Sequence, residues 1–158
     1  IHSILYFIIM VNLFMNYFGQ FDHAIDEEGK NKGIFLIYSH YPIFIGLIMV
    51  TVSMSFLVNP EAHHLFATSF FYTGIGLFQA AILANGYFNK NYLKYDKVYY
   101  GLQAGTFLIG LVLSLLFSTS PIIVITIATV MTLAMELHFT HFYITRTKKF
   151  ATPDWELY

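Results

Sequence analysis

Long apolar runs separated by short polar ones set the pattern of this chain, and the run over residues 33–57, GIFLIYSHYPIFIGLIMVTVSMSFL, shows it most clearly. It has no Lys, Arg, Asp or Glu, and at 1.5 Å per residue it is long enough to cross a hydrocarbon layer of about 30 Å. Four further runs, over about 1–21, 62–88, 98–117 and 121–145, repeat the plan. The polar breaks carry turn and helix-start chemistry: Gly29 among charges, Asn59-Pro60-Glu61, the lysine-bearing stretch 89–97, and Ser118-Thr119-Ser120-Pro121. Pro121 falls near a first helical position, where its missing N–H costs little. The pattern therefore predicts an all-α polytopic membrane bundle of five transmembrane helices over residues 1–145, followed by a tail over 146–158.

Several spans carry local signals of their own. Pro42 cannot donate to the helical ladder and crowds the preceding turn, so a kink or a late helix start is expected beside His40. In the first span Asn12 and Asn16 lie four apart and give that helix a polar stripe for interhelical hydrogen bonding. In the third, Gly76, Ala80 and Ala84 form a small-residue stripe, and in the fourth Gly101 and Gly105 form a GxxxG pair. These two sets predict a close antiparallel pairing of spans three and four. His63 and His64 are adjacent, point about 100° apart on a helix, and make a poor chelating pair.

Composition agrees with the pattern. Hydrophobic residues make up 57% of the chain and charged residues only 11%, with a mean hydropathy of +0.62. A soluble domain carries about a quarter charged residues, so lipid must cover much of this surface. There is no cysteine, which excludes disulfides, thiolate metal sites and Cys nucleophiles. The net charge of -1 offers nothing to nucleic acid. No hydrolase triad, phosphate loop or zinc motif is present, so no enzyme activity is expected and no cofactor is implied. The chain starts on Ile1 with an apolar run and no basic leader, which reads as a segment of a longer product.

Charge also sets an orientation. With five crossings, all eight Lys and Arg residues fall on the side of the loops after spans one and three and of the tail. By the positive-inside rule that side is cytoplasmic, which puts the N-terminus outside, the C-terminus inside and the protein in the cell membrane. Ten of the twelve tyrosines lie at or near the same interface, as amphipathic anchors do.

The candidate chemistry is a polar cluster at that end of the bundle: His40, Glu136, His138, His141, Tyr38 and Asn16. Glu136 lies ten residues inside Arg146, a depth of about 15 Å, and His40 reaches a similar level from the same edge. A carboxylate in hydrocarbon costs a few kcal/mol, so Glu136 should be protonated, paired or turned toward water, and should face protein. Glu136 and His138 are about 200° apart on their helix and cannot form one site alone, whereas His138 and His141 share a face. The best histidine partner for Glu136 is therefore His40 on the second span. Such a cluster can be a structural network, a proton or ion site, or a ligand or metal site, including a haem held by His40 with His138 or His141.

Asn16-Tyr17-Phe18 with Asp22 close behind, a short charged loop, and then Tyr38-Ser39-His40-Tyr41-Pro42 leading into Ile43-Phe44-Ile45-Gly46-Leu47 resemble the later half of the bacterial low temperature requirement A family. Residues 12–50 carry the resemblance, and hydropathy alone continues it to about Tyr143. It implies a multi-pass membrane protein associated with growth in the cold, without a defined reaction, and an upstream half that this chain lacks. The expected function is transport-like or proton-responsive, with a non-catalytic membrane scaffold or assembly subunit as the alternative. The expected partners are the lipid bilayer and either further copies of the chain or the upstream half.

Overall fold

The computed structural model describes residues 1–26 and 33–151. Five helices dominate: α1 (His2–Phe18), α2 (Gly33–Val58), α3 (His64–Asn85), α4 (Lys97–Leu116) and α5 (Pro121–Ala151). All five are long and apolar enough to cross a membrane, and among the described residues there is no strand. The α1 helix passes directly into a π-helical turn over Gly19–Ala24, and two short 3-10 turns, Gly86–Phe88 and Asn91–Leu93, connect α3 to α4.

Local sequence accounts for the helix ends. The Asp96 carboxylate accepts from the Tyr99 N–H at 2.8 Å and caps α4, and Nδ1 of His63 accepts from the Phe66 N–H at 3.4 Å to cap α3. Pro121 opens α5 at its first residue. The late start considered at Pro42 does not occur: α2 begins at Gly33 and stays helical through Pro42.

The helices α2 and α3 form the most extensive pair, and glycine makes that possible. A Cβ on Gly46 would stand 2.7 Å from the Gly74 carbonyl oxygen, and one on Gly74 would stand 2.9 Å from the Gly46 carbonyl oxygen. Two backbones touch there. The α1 helix lies between α2 and α5, with the Tyr6 hydroxyl donating to the Met54 carbonyl at 3.3 Å on one side and the Asn12 amide donating to the Thr132 hydroxyl at 3.1 Å on the other. Ile9, Ile43, Phe71, Phe78 and Ile125 fill the centre and are fully buried.

The expected pairing of α3 with α4 forms, and a Cβ on Gly76 would stand 2.9 Å from the Phe107 ring of α4, but Ala80, Ala84, Gly101 and Gly105 take no part in it. Ala80, Ala84 and Gly101 are exposed, and a Cβ on Gly101 or Gly105 would meet nothing within 4 Å. Polar groups decide how α4 is rotated. It turns Tyr99, Gln103 and Ser114 inward, where Gln79 donates to Gln103 at 3.3 Å and the Tyr72 and Ser114 hydroxyls meet at 2.6 Å. Burying these groups with partners is favoured over leaving them in lipid, so the glycine face is left outside.

One end of the bundle is fastened across elements. The Asp26 N–H donates to the Phe88 carbonyl at 3.0 Å and the Lys90 N–H to the Ala24 carbonyl at 2.9 Å, around an antiparallel bridge between Ile25 and Asn89. Arg146 of α5 pairs with Asp96 at 2.7 Å, and Phe150 stacks on Tyr92 at 4.4 Å. The ends of α1, α3 and α5 and the start of α4 thus meet, and the described Lys and Arg residues, Lys90, Lys94, Lys97, Arg146, Lys148 and Lys149, all belong to this end. Lys30 and Lys32 lie outside the described residues.

Candidate functional site

The predicted polar residues divide into three places. Glu136 sits in the seam between α1 and α5, where its Oε1 accepts from the Thr140 hydroxyl at 3.0 Å and the Asn16 amide lies within hydrogen-bonding reach. Its other oxygen, Oε2, is buried without a hydrogen-bond partner, and so is Oδ1 of Asn16, a residue only 3% exposed. Two acceptors with nothing to accept from therefore belong to neighbouring side chains in a protein-lined seam. The Oε2 side of the carboxyl is buried in this seam, while Glu136 as a whole is half-buried and its Thr140 partner is exposed.

His40 is elsewhere. Its Nδ1 lies 2.6 Å from the Leu36 carbonyl, which can only accept, so Nδ1 carries a proton; Nε2 meets the Tyr17 hydroxyl at 3.0 Å. Phe21 and Phe44 pack on the ring at 4.6 and 6.0 Å. Both ring nitrogens are engaged, and the expected contact with Glu136 is absent. The reason is geometric: Asn16 and Tyr17 are consecutive on α1 and point to different neighbours, one to α5 and the other to α2, so the helix itself stands between the acid and the imidazole.

His138 forms the third place. It stacks on Tyr99 of α4 at 4.7 Å, on a different face of α5 from Glu136. His141 is exposed, and Tyr38 is 63% exposed beside Tyr41. Neither joins Glu136. Among the described residues no group of three or more His, Asp or Glu side chains is placed to hold a metal ion, and the haem pairing of His40 with His138 or His141 has no geometric support, since His40 and His138 pack against different helices.

A second polar network was not singled out in the sequence. The Gln20 amide of the π-helical turn donates to Asn89 at 2.5 Å, Tyr95 donates to the Gln20 carbonyl oxygen, and Asn89 donates to the Leu93 carbonyl at 2.9 Å. Deeper in, Gln103 donates to the Tyr99 hydroxyl at 3.1 Å and the Met135 carbonyl at 3.2 Å. Gln20, Asn89 and Gln103 are all buried. The available signal was a set of uncharged amides inside or beside apolar runs, which a search for ionisable groups passes over.

Tyr95 joins the two parts, stacked on Tyr99 at 4.1 Å. Burial, reinforced by the neighbouring Tyr99, pushes the Tyr95 phenol well above its ordinary value of 10.0. The neutral form is favoured in the fold, so its contribution to stability is whole below about pH 10 and is lost as pH rises from there through the raised folded value. Tyr95→Phe should flatten that alkaline loss in unfolding titrations followed across the same range. An alkaline limb as steep as in the parent protein would show that another group causes it.

The family model described as bacterial low temperature requirement A protein (LtrA) matches residues 1–135. No curated protein and no solved structure matches the chain. The match covers Asn16, His40 and the glycines of the α2–α3 crossing but stops just before Glu136, so the place of that acid rests on geometry alone. With five helices able to span a bilayer and most of its length matched, the chain is an integral, multi-pass membrane protein of the bacterial low temperature requirement A family.

Proposed function

We propose that this protein is proton-responsive, taking up and releasing a proton at Glu136 within the cytoplasmic half of the cell membrane. The observation that carries this reading is the pair of buried, unpartnered oxygens, Oε2 of Glu136 and Oδ1 of Asn16, on adjoining side chains of the α1–α5 seam. A proton on the carboxyl supplies the missing donor, and its loss leaves a charge held only by Thr140 and the Asn16 amide. The protonation state should therefore alter how α1 and α5 pack. Neither a bound cofactor nor a catalysed reaction is part of this reading, and the clustered cations support assigning the fastened end to the cytoplasmic surface.

Infrared difference spectra between acid and neutral pH test it. A protonated-carboxyl band should appear in the parent protein and vanish in Glu136→Gln; a band unchanged by that substitution would end the proposal. A transport-like role adds a Glu136-dependent proton flux across reconstituted vesicles. The alternative, a non-catalytic scaffold, is favoured by the open face at Gly101 and Gly105, where a Cβ would meet nothing within 4 Å, and predicts that Glu136→Ala alters assembly with neither band nor flux affected.

A further inference from the structure

The α1–α5 seam is polar at one end and apolar at the other. The two helices run parallel and keep one register: Asn12 meets Thr132, Asn16 meets Glu136, Gly19 meets Phe139 and His23 meets Tyr143. Starting from the fastened end, the seam opens at His23 and Tyr143, whose rings lie 5.9 Å apart, with His23 and Thr140 exposed. Next come Thr140, Glu136 and Asn16. One turn further, the Asn12 amide donates to Thr132, whose hydroxyl donates to the Thr129 carbonyl at 3.1 Å. Beyond that level the Thr129 hydroxyl is spent on the Ile125 carbonyl of its own helix at 2.8 Å, and Ile9, Val124, Ile125 and Ala128 are fully buried and pack together in the core.

A proton needs oxygen or nitrogen atoms, or water held by them, to move through a protein interior. That condition is met on the outer side of Glu136, where exposed Thr140 flanks the Phe139 ring buried against Gly19, and fails on the inner side past Thr129. We infer that Glu136 exchanges its proton with the fastened, lysine-bearing end only, along the α1–α5 seam past His23, Tyr143 and Thr140, and that Asn12 with Thr132 marks the closed inner limit. The inference rests on the proton-responsive reading of Glu136 and adds its route and its sidedness.

The other groups around the acid fit this direction. On α4 the group within electrostatic range is Tyr99, which hydrogen-bonds to Gln103 within the neighbouring network. On α5 itself the contact is Thr140, and on α1 the neighbour is uncharged Asn16, with Asp22 exposed near the mouth. Among the described residues no titratable side chain of α2 or α3 bonds to Glu136; His40 is committed to Tyr17 and Leu36.

Sided labelling tests the route. The chain is reconstituted in sealed vesicles, the face carrying Lys94 is established with an impermeant amine reagent, and the pH on the two faces is set independently between about 5 and 9. Dicyclohexylcarbodiimide, which reacts with neutral carboxyls from within the bilayer, is added, and the yield on Glu136 is read by peptide mass spectrometry. The yield should follow the pH on the Lys94 face, by up to tenfold per unit above its midpoint, and ignore the pH on the Glu61 face; Glu136→Gln should carry no label at that position. A yield that follows the Glu61 face, or both faces, overturns the route while leaving the proton at Glu136. A yield that is flat with pH on both faces removes the proton-responsive reading itself.

Discussion

Gly46→Leu is expected to destabilise the bundle by about 3 kcal/mol, at the upper end for overpacking a well-packed core. The cost is large because the new side chain would meet backbone atoms, which cannot rotate away. Besides the Gly74 carbonyl oxygen at 2.7 Å, a Cβ would stand 2.8 Å from the Phe78 nitrogen. Relief requires the whole of α2 to move off α3, and with it the burial of Ile43, Val50, Phe71 and Phe78. The matched control is Gly101→Leu, at a position where nothing lies within 4 Å, with an expected change within about 0.5 kcal/mol. Unfolding of the two variants in mixed micelles, followed by helical circular dichroism as the denaturing detergent is raised, measures both. Equal midpoints would mean that the glycine contact is not what holds α2 to α3.

Gln103→Leu should cost about 2 kcal/mol. Its side chain joins three groups: it accepts from Gln79 and donates to the Tyr99 hydroxyl and the Met135 carbonyl. Hydrogen bonds between membrane helices average roughly 0.6 kcal/mol each; the bonds to Gln79 and Met135 are of this kind, and the rest of the figure comes from the bond within α4 to Tyr99 and from the partner left behind. The substitution also strands the Gln79 amide, for which no other hydrogen bond is present among the described residues, in a buried position. Removing that amide as well should therefore cost less than the two single changes added together, because Gln79→Leu takes away the group left without a partner. Strictly additive losses in the same unfolding assay would show that the two glutamines do not act on each other.

The two experiments bear on what could be seen in the sequence. The number of spans was legible because lipid imposes it: each crossing needs an uninterrupted apolar run, and charges mark the breaks. The level of Glu136 along its helix, ten residues before Arg146, followed from counting residues. Rotation of the helices was not legible. Gly101 and Gly105 have the spacing of a packing motif, yet α4 turns them outward, because Gln103 and Tyr99 on another face of the same helix have buried partners. The contact expected between His40 and Glu136 failed for a related reason. Equal depth says nothing about what stands between two residues, and here α1 does, sending Asn16 one way and Tyr17 the other. Asn12 and Asn16 were recognisable as a polar stripe, but their partners Thr132 and Glu136 are fixed by a parallel register between the first and last helices, which no local pattern encodes.

The splice between residues 24–26 and 88–90 has a mechanical meaning. Main-chain bonds weld the tip of the first helix to the tip of the third, so the two cannot travel along the membrane normal independently. If charging Glu136 loosens the first helix from the fifth, the weld turns a local tilt into a pull on the third, and the touching glycines hand that pull to the second. A change of one proton would thus be felt as leverage across the molecule, delivered at the aqueous surface where a partner could sense it.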